Sequence, residues 1–92
     1  MRRETALKNV RDAVTELRAH LKREKRLGNE PSFDTGMYLS NVVHDEIGGH
    51  LYTSSYIRDI LNGRVQCGNL RMMPVIFREL DLEWDEYRRF YE

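Results

Sequence analysis

Apolar side chains in the first quarter of the chain recur at helical spacing. Leu7, Val10, Val14, Leu17 and Leu21 follow one another three or four residues apart, with Ala6 and Ala13 beside them. At ~3.6 residues per turn this spacing gathers them on one stripe. No Gly or Pro interrupts the pattern until Gly28, so it predicts one long amphipathic helix over residues 3–27. Lys22, Arg23, Lys25 and Arg26 crowd its last turns, where cations suit the negative end of the helix dipole. The stripe has two readings. It covers the domain's own core, or it is the seam of a short coiled-coil dimer.

Breakers follow. Gly28, Asn29, Pro31 and Gly36 mark residues 28–36 as a loop. Residues 37–47 predict a second helix with Met37, Leu39, Val42, Val43 and Ile47 as core positions, ended by Gly48-Gly49. His50-Leu51-Tyr52 is a connector. Thr53 or Ser54 then caps a third helix over 54–62, because a short side-chain oxygen accepts from the exposed N–H groups of a first turn. Gly63 supplies the positive φ of its C-terminal cap. After a loop at 64–69, a fourth helix ends at Leu80. Asn69 is a candidate cap for it, but Pro74 would then sit one turn inside, so the regular helix is expected to start near Met73. A last short helix over 84–91 carries Trp84, Tyr87, Phe90 and Tyr91. At helical spacing these aromatics read first as core or dimer interface, and second as a stacking surface for bases. Strand-like alternation is absent. The pattern therefore predicts an all-α fold: a small helical bundle with a helix-turn-helix, preceded by a long amphipathic N-terminal helix. Its parts are the basic helix 1–27, in the same domain or at a dimer seam, the loop 28–36, and a helix-turn-helix-like domain over 37–92.

Residues 55–87 carry a set of short motifs at fixed spacing. Ser55-Tyr56-Ile57 opens the third helix and Asn62-Gly63-Arg64 closes it. Leu70, Ile76 and Leu80 follow as core positions of the fourth, and Asp85-Glu86-Tyr87 opens the fifth. In this order and without a gap, the segment resembles the lambda-repressor-like (Cro/repressor, XRE-type) helix-turn-helix family. In that family the helix before the Asn-Gly turn enters the major groove of DNA. The resemblance implies that Ser54, Ser55, Arg58 and Asp59 face base edges, and that Thr53, Asn62 and Arg64 meet phosphate. Arg58 suits the two acceptors of guanine, whereas Asp59 suits a cytosine amino group or orients Arg58. The chain departs from the pattern twice. About three extra residues separate Ile47-Gly48 from Thr53, where the family has a tight turn. A longer first helix and a nine-residue loop also replace the family's usual opening.

Composition narrows the field. Ninety-two residues suit one small domain, whose thin core makes dimerisation a natural aid. No apolar run approaches the ~20 residues that span a bilayer, and no secretory leader is visible. A single cysteine, Cys67, fits a reducing cytosol, so the expected location is cytoplasmic. The net charge is zero but unevenly spread. Residues 1–27 hold nine basic and four acidic side chains, a balance of +5, and residues 28–92 hold six and eleven, a balance of −5.

Candidate chemistry is sparse. His44, Asp45, Glu46 and His50 include metal-ligating types, but His44 and Asp45 diverge on a helix and no fourth ligand is evident. Cys67 and His50 lack anything that would orient a base towards a nucleophile. Arg88-Arg89 suit either phosphate or the neighbouring Asp85 and Glu86. The expectation is no enzyme, no metal and no cofactor, but a homodimeric, repressor-like transcription regulator of the kind common in phages and mobile elements, with double-stranded DNA as its partner. The alternative is a protein-protein interaction module that keeps the helix-turn-helix scaffold and binds a protein partner through its acidic surface.

Overall fold

The computed structural model describes residues 1–24 and 35–92. Among the described residues the chain is all helical: α1 (Arg3–Arg23), α2 (Thr35–Ile47), α3 (Ser54–Leu61), α4 (Met72–Glu79) and α5 (Trp84–Tyr87), with a 3-10 turn over Arg88–Phe90. The long N-terminal helix is present and ends at a cap on Glu24, whose N–H reaches the carbonyls of His20 and Lys22. The expected continuation to residue 27 and most of the loop 28–36 lie outside the described residues. Thr35 and Gly36 are helical, so α2 begins two residues before the expected start at 37.

The core is built where the stripes meet. Leu7, Val10, Leu17 and Leu21 of α1 are buried against Leu39 and Val43 of α2, Ile57, Ile60 and Leu61 of α3, and Met72, Met73, Val75, Ile76 and Phe77 of α4. Val14, Val42 and Ile47 are partly buried beside them. Phe77 is the hub of an aromatic cluster, with ring centroids 5.1 Å from Trp84, 5.3 Å from Tyr87 and 5.6 Å from Tyr91. The aromatic C-terminus and the α1 stripe are thus both used inside the chain.

Two expected core positions are wrong. Met37 is 40% exposed. α2 turns a face of Gly36, Leu39, Ser40 and Val43 inward, and residue 37 lies off that face. Leu70 is 43% exposed. It belongs to the turn ahead of α4, where its carbonyl accepts from the Met73 N–H at 3.2 Å, while Met72 and Met73 fill the core. Pro74 is the third residue of α4, so its missing N–H is one that a first turn leaves unpaired anyway. Asn69 does act at this entry, its Oδ1 accepting from the Arg71 N–H at 3.1 Å. The last element is not one α-helix over 84–91 but a single α-turn that tightens to 3-10.

α1 aligns the other elements along its length. Arg3, at its start, donates to the Gly63 carbonyl at the end of α3. Further along, Asn9 donates to the Tyr87 hydroxyl. Near its end, Leu17 and His20 share a surface groove with Glu79 and Asp81. The helix rises ~1.5 Å per residue, so about 25 Å separate the Gly63 end from the Asp81 end.

Candidate nucleic-acid interface

The joint between α2 and α3 is a return and not a tight turn. Gly48 and Gly49 both take positive φ, 68° and 82°, a conformation in which a side chain is strained. They reverse the chain. The Ser40 hydroxyl donates to the Tyr52 carbonyl, and an added Cβ on Gly36 would lie 2.6 Å from Ser54 Oγ and 2.9 Å from the Ser54 carbonyl oxygen. As the connector advances from 52 to 54, its neighbour on α2 recedes from 40 to 36. The connector therefore runs back along α2, and α3 starts beside the first turn of α2, where a tight turn would start it at the last. The three extra residues are spent on this return.

α3 itself is defined at both ends. Thr53 is the N-cap, its Oγ1 accepting from the Tyr56 N–H at 3.1 Å. Gly63, at φ 73°, closes the other end. Its N–H reaches the Ile60 carbonyl and the Arg64 N–H reaches the Asp59 carbonyl, each at 2.9 Å. This paired closure is the Schellman motif, which needs a left-handed residue at its turn. Two tyrosines hold the following loop to the helix. Tyr52 and Tyr56 stack at 5.2 Å. The Tyr56 hydroxyl accepts from the Gly68 N–H, and the Tyr52 hydroxyl from the Asn69 side-chain amide.

With Ile57, Ile60 and Leu61 buried, the opposite face of α3 presents Ser55, Arg58, Asp59 and Asn62. These lie three, four and seven residues apart on one stripe ~10 Å long. Arg58 Nη2 donates to Ser55 Oγ at 3.5 Å. Asp59 is half-buried and pairs with Arg64 at 3.6 Å, so it is drawn towards the end of the helix. Thr53 spends its oxygen on the cap. Ser54 is half-buried against Gly36 of α2, away from the stripe. Of the seven residues expected to contact DNA, the structure groups Ser55, Arg58, Asp59, Asn62 and Arg64, and turns Thr53 and Ser54 to structural work.

Cations and acids stand together at both ends of α1. Arg3 and Arg64 line one groove where α1 begins and α3 ends, with Arg3 on the Gly63 carbonyl and Arg89 donating to the Met1 carbonyl at 2.5 Å. Arg88 pairs with Asp85 and Glu92. Glu79 and Asp81 lie at the opposite end with His20 and Arg23, and Asp81 and Glu83 line an open groove with Pro74, Arg78, Leu82 and Trp84. Of the acids after residue 27, Asp59, Asp85 and Glu92 stand at the α3 end, each paired with an arginine.

The other candidates are placed as follows. Glu46 is paired with Arg78 of α4. Among the described residues no three His, Cys, Asp or Glu side chains gather where a cation would sit. His50 packs its ring edge on Tyr52. Cys67 is buried, its thiol donates to the Asn69 carbonyl at 3.1 Å, and burial pushes its pKa up, which disfavours the thiolate. No described helix is long and apolar enough to cross a membrane. Helical spacing missed Arg3, because its contact with Gly63 spans sixty residues of sequence. Set against family models, curated proteins and solved structures, the chain matches none of them.

Proposed function

We propose that the protein is a sequence-specific DNA-binding regulator, repressor-like in action, and that α3 is its reading helix. The observation that carries this reading is the outward stripe of exposed Ser55 and Arg58 and half-buried Asn62, which leads towards Arg64 and Arg3 at the start of α1. A stripe of ~10 Å suits a major groove about 12 Å wide. Arg58 offers the forked donor that guanine accepts, Ser55 steadies it, and Asn62 and Arg64 meet phosphate beyond the groove edge. The acids at this end, Asp59 and Glu92, are each paired with an arginine, which lessens the electrostatic objection. A reading helix contacts few base pairs, so two copies on a two-fold site supply the affinity such a regulator needs. A phage or mobile-element setting rests on the resemblance alone.

A second reading has its own observation. The groove of Pro74, Leu82 and Trp84, rimmed by Asp81 and Glu83 and by Arg78, offers a charged and partly apolar surface to a protein partner. Titration of a mixed-sequence duplex from ~50 to ~200 mM salt separates the two. DNA binding predicts affinity at low salt that falls steeply as salt rises, with a slope set by the number of phosphates met. A folded protein that shows no affinity for duplex at the lowest salt overturns the DNA reading and leaves the charged groove as the better one.

A further inference from the structure

We infer that Arg3, the first residue of α1, is a further phosphate-binding residue of this interface; the inference rests on the reading of α3 given above. The geometry points to it in three ways. Arg3 Nη2 donates to the Gly63 carbonyl at 3.3 Å, which fixes the guanidinium against the turn that closes α3. That turn is open to it because residue 63 lacks a side chain: a Cβ there would lie 2.6 Å from Nη2. Arg3 also lines an open groove with Gly63, Arg64, Gln66 and Glu92, beside the end of the stripe that would meet phosphate.

The local charges leave Arg3 available. Glu92, the acid that shares its groove, pairs with Arg88, and Asp59 pairs with Arg64. Among the described residues no carboxylate pairs with Arg3. A guanidinium carries five N–H donors in a rigid fork, and one bond to a carbonyl leaves donors for the two non-bridging oxygens of a phosphodiester. A cation already fixed on the backbone loses less freedom on meeting its ligand than a loose side chain does. Arg64 lines the same groove, so Arg3 and Arg64 stand together at the end of α3. The ligand chemistry is the sugar-phosphate backbone of duplex DNA beside the groove that α3 enters.

The test uses the full chain and a mixed-sequence duplex. Binding is measured for the parent, Arg3→Lys and Arg3→Gln at several salt concentrations between ~50 and ~200 mM. Arg3→Gln is expected to lower the slope of log affinity against log salt by about 1, so that its affinity falls ~3-fold to 4-fold less over that range. Arg3→Lys should keep the parental slope, and the base preference should be the same in all three. Melting curves check the fold. If Arg3→Gln melts below the assay temperature, Arg3→Met is the second neutral variant. A neutral variant that is folded and keeps the parental slope overturns the role of Arg3 while leaving α3 as the reading helix. A parent with no affinity for duplex overturns both.

Discussion

The hydroxyl of Tyr91 donates to the main-chain carbonyl of Leu61 at 3.0 Å inside the core. Leu61 is the last helical residue of α3, and the carbonyls at a helix end have no partner within the helix. A side chain from the end of the described chain thus completes the helix that carries the candidate site. Its ring packs edge-on against Phe77, so the same residue ties α3 to the aromatic cluster.

Tyr91→Phe keeps the ring and removes the bond. It leaves a buried carbonyl unpaired and should cost about 1–3 kcal/mol, read from denaturant unfolding. Burial also raises the Tyr91 pKa from 10.0 to about 12. The unfolded chain loses this proton first, so stability should be level below the ordinary tyrosine value. It should then fall as pH rises from there towards about 12. In Tyr91→Phe this part of the alkaline loss should disappear. Parallel alkaline profiles for the two proteins would contradict the burial of the phenol.

Gly63 and Asp81 hold the same position in two successive Schellman closures. Asp81 stands at φ 58°, and the N–H groups of Asp81 and Leu82 reach the carbonyls of Arg78 and Phe77. Glycine accepts this conformation without cost and aspartate does not. Asp81→Gly should therefore stabilise the fold by roughly 0.5–1 kcal/mol, while Gly63→Ala should destabilise it by about 1 kcal/mol or more. Opposite shifts in melting temperature are the expected result. Shifts of the same sign would deny that the two turns are equivalent.

Gly36→Ala tests the return of the connector. Its methyl would meet main-chain atoms of Ser54, which cannot rotate away. Overpacking at such a contact costs about 1–3 kcal/mol, and the start of α3 should lose amide protection in hydrogen exchange before the α1–α4 core does. A variant as stable as the parent, with unchanged exchange at the start of α3, would argue against the close approach of α2 and α3.

The apolar spacing of α1 carried through to burial almost residue by residue, because long aliphatic side chains on one stripe have nowhere else to go. Ile60, on the inner face of α3, is fully buried. Ile60→Ala should cost about 2–5 kcal/mol in the same unfolding measurement, and a parental melting curve would contradict its burial. α2 was harder to read. Its inner face is half made of Gly36 and Ser40, which no hydrophobic count detects, and they are small because the connector lies on them. Ser55, Arg58, Asp59 and Asn62 were named by the resemblance, and the structure sets them on one stripe of α3. The inward turn of Ser54 was not legible, since it depends on a glycine eighteen residues earlier.

The most direct test of α3 as a reading helix is the base preference of the parent compared with that of Arg58→Ala. Random duplexes are enriched on each protein, and affinities are measured on the preferred site at one salt concentration. Reading by α3 predicts that Arg58→Ala stays folded, binds that site about 1–3 kcal/mol more weakly and loses its preference at one base position. Equal affinity and an unchanged preference in the folded variant, or no preferred sequence for the parent at all, would contradict it.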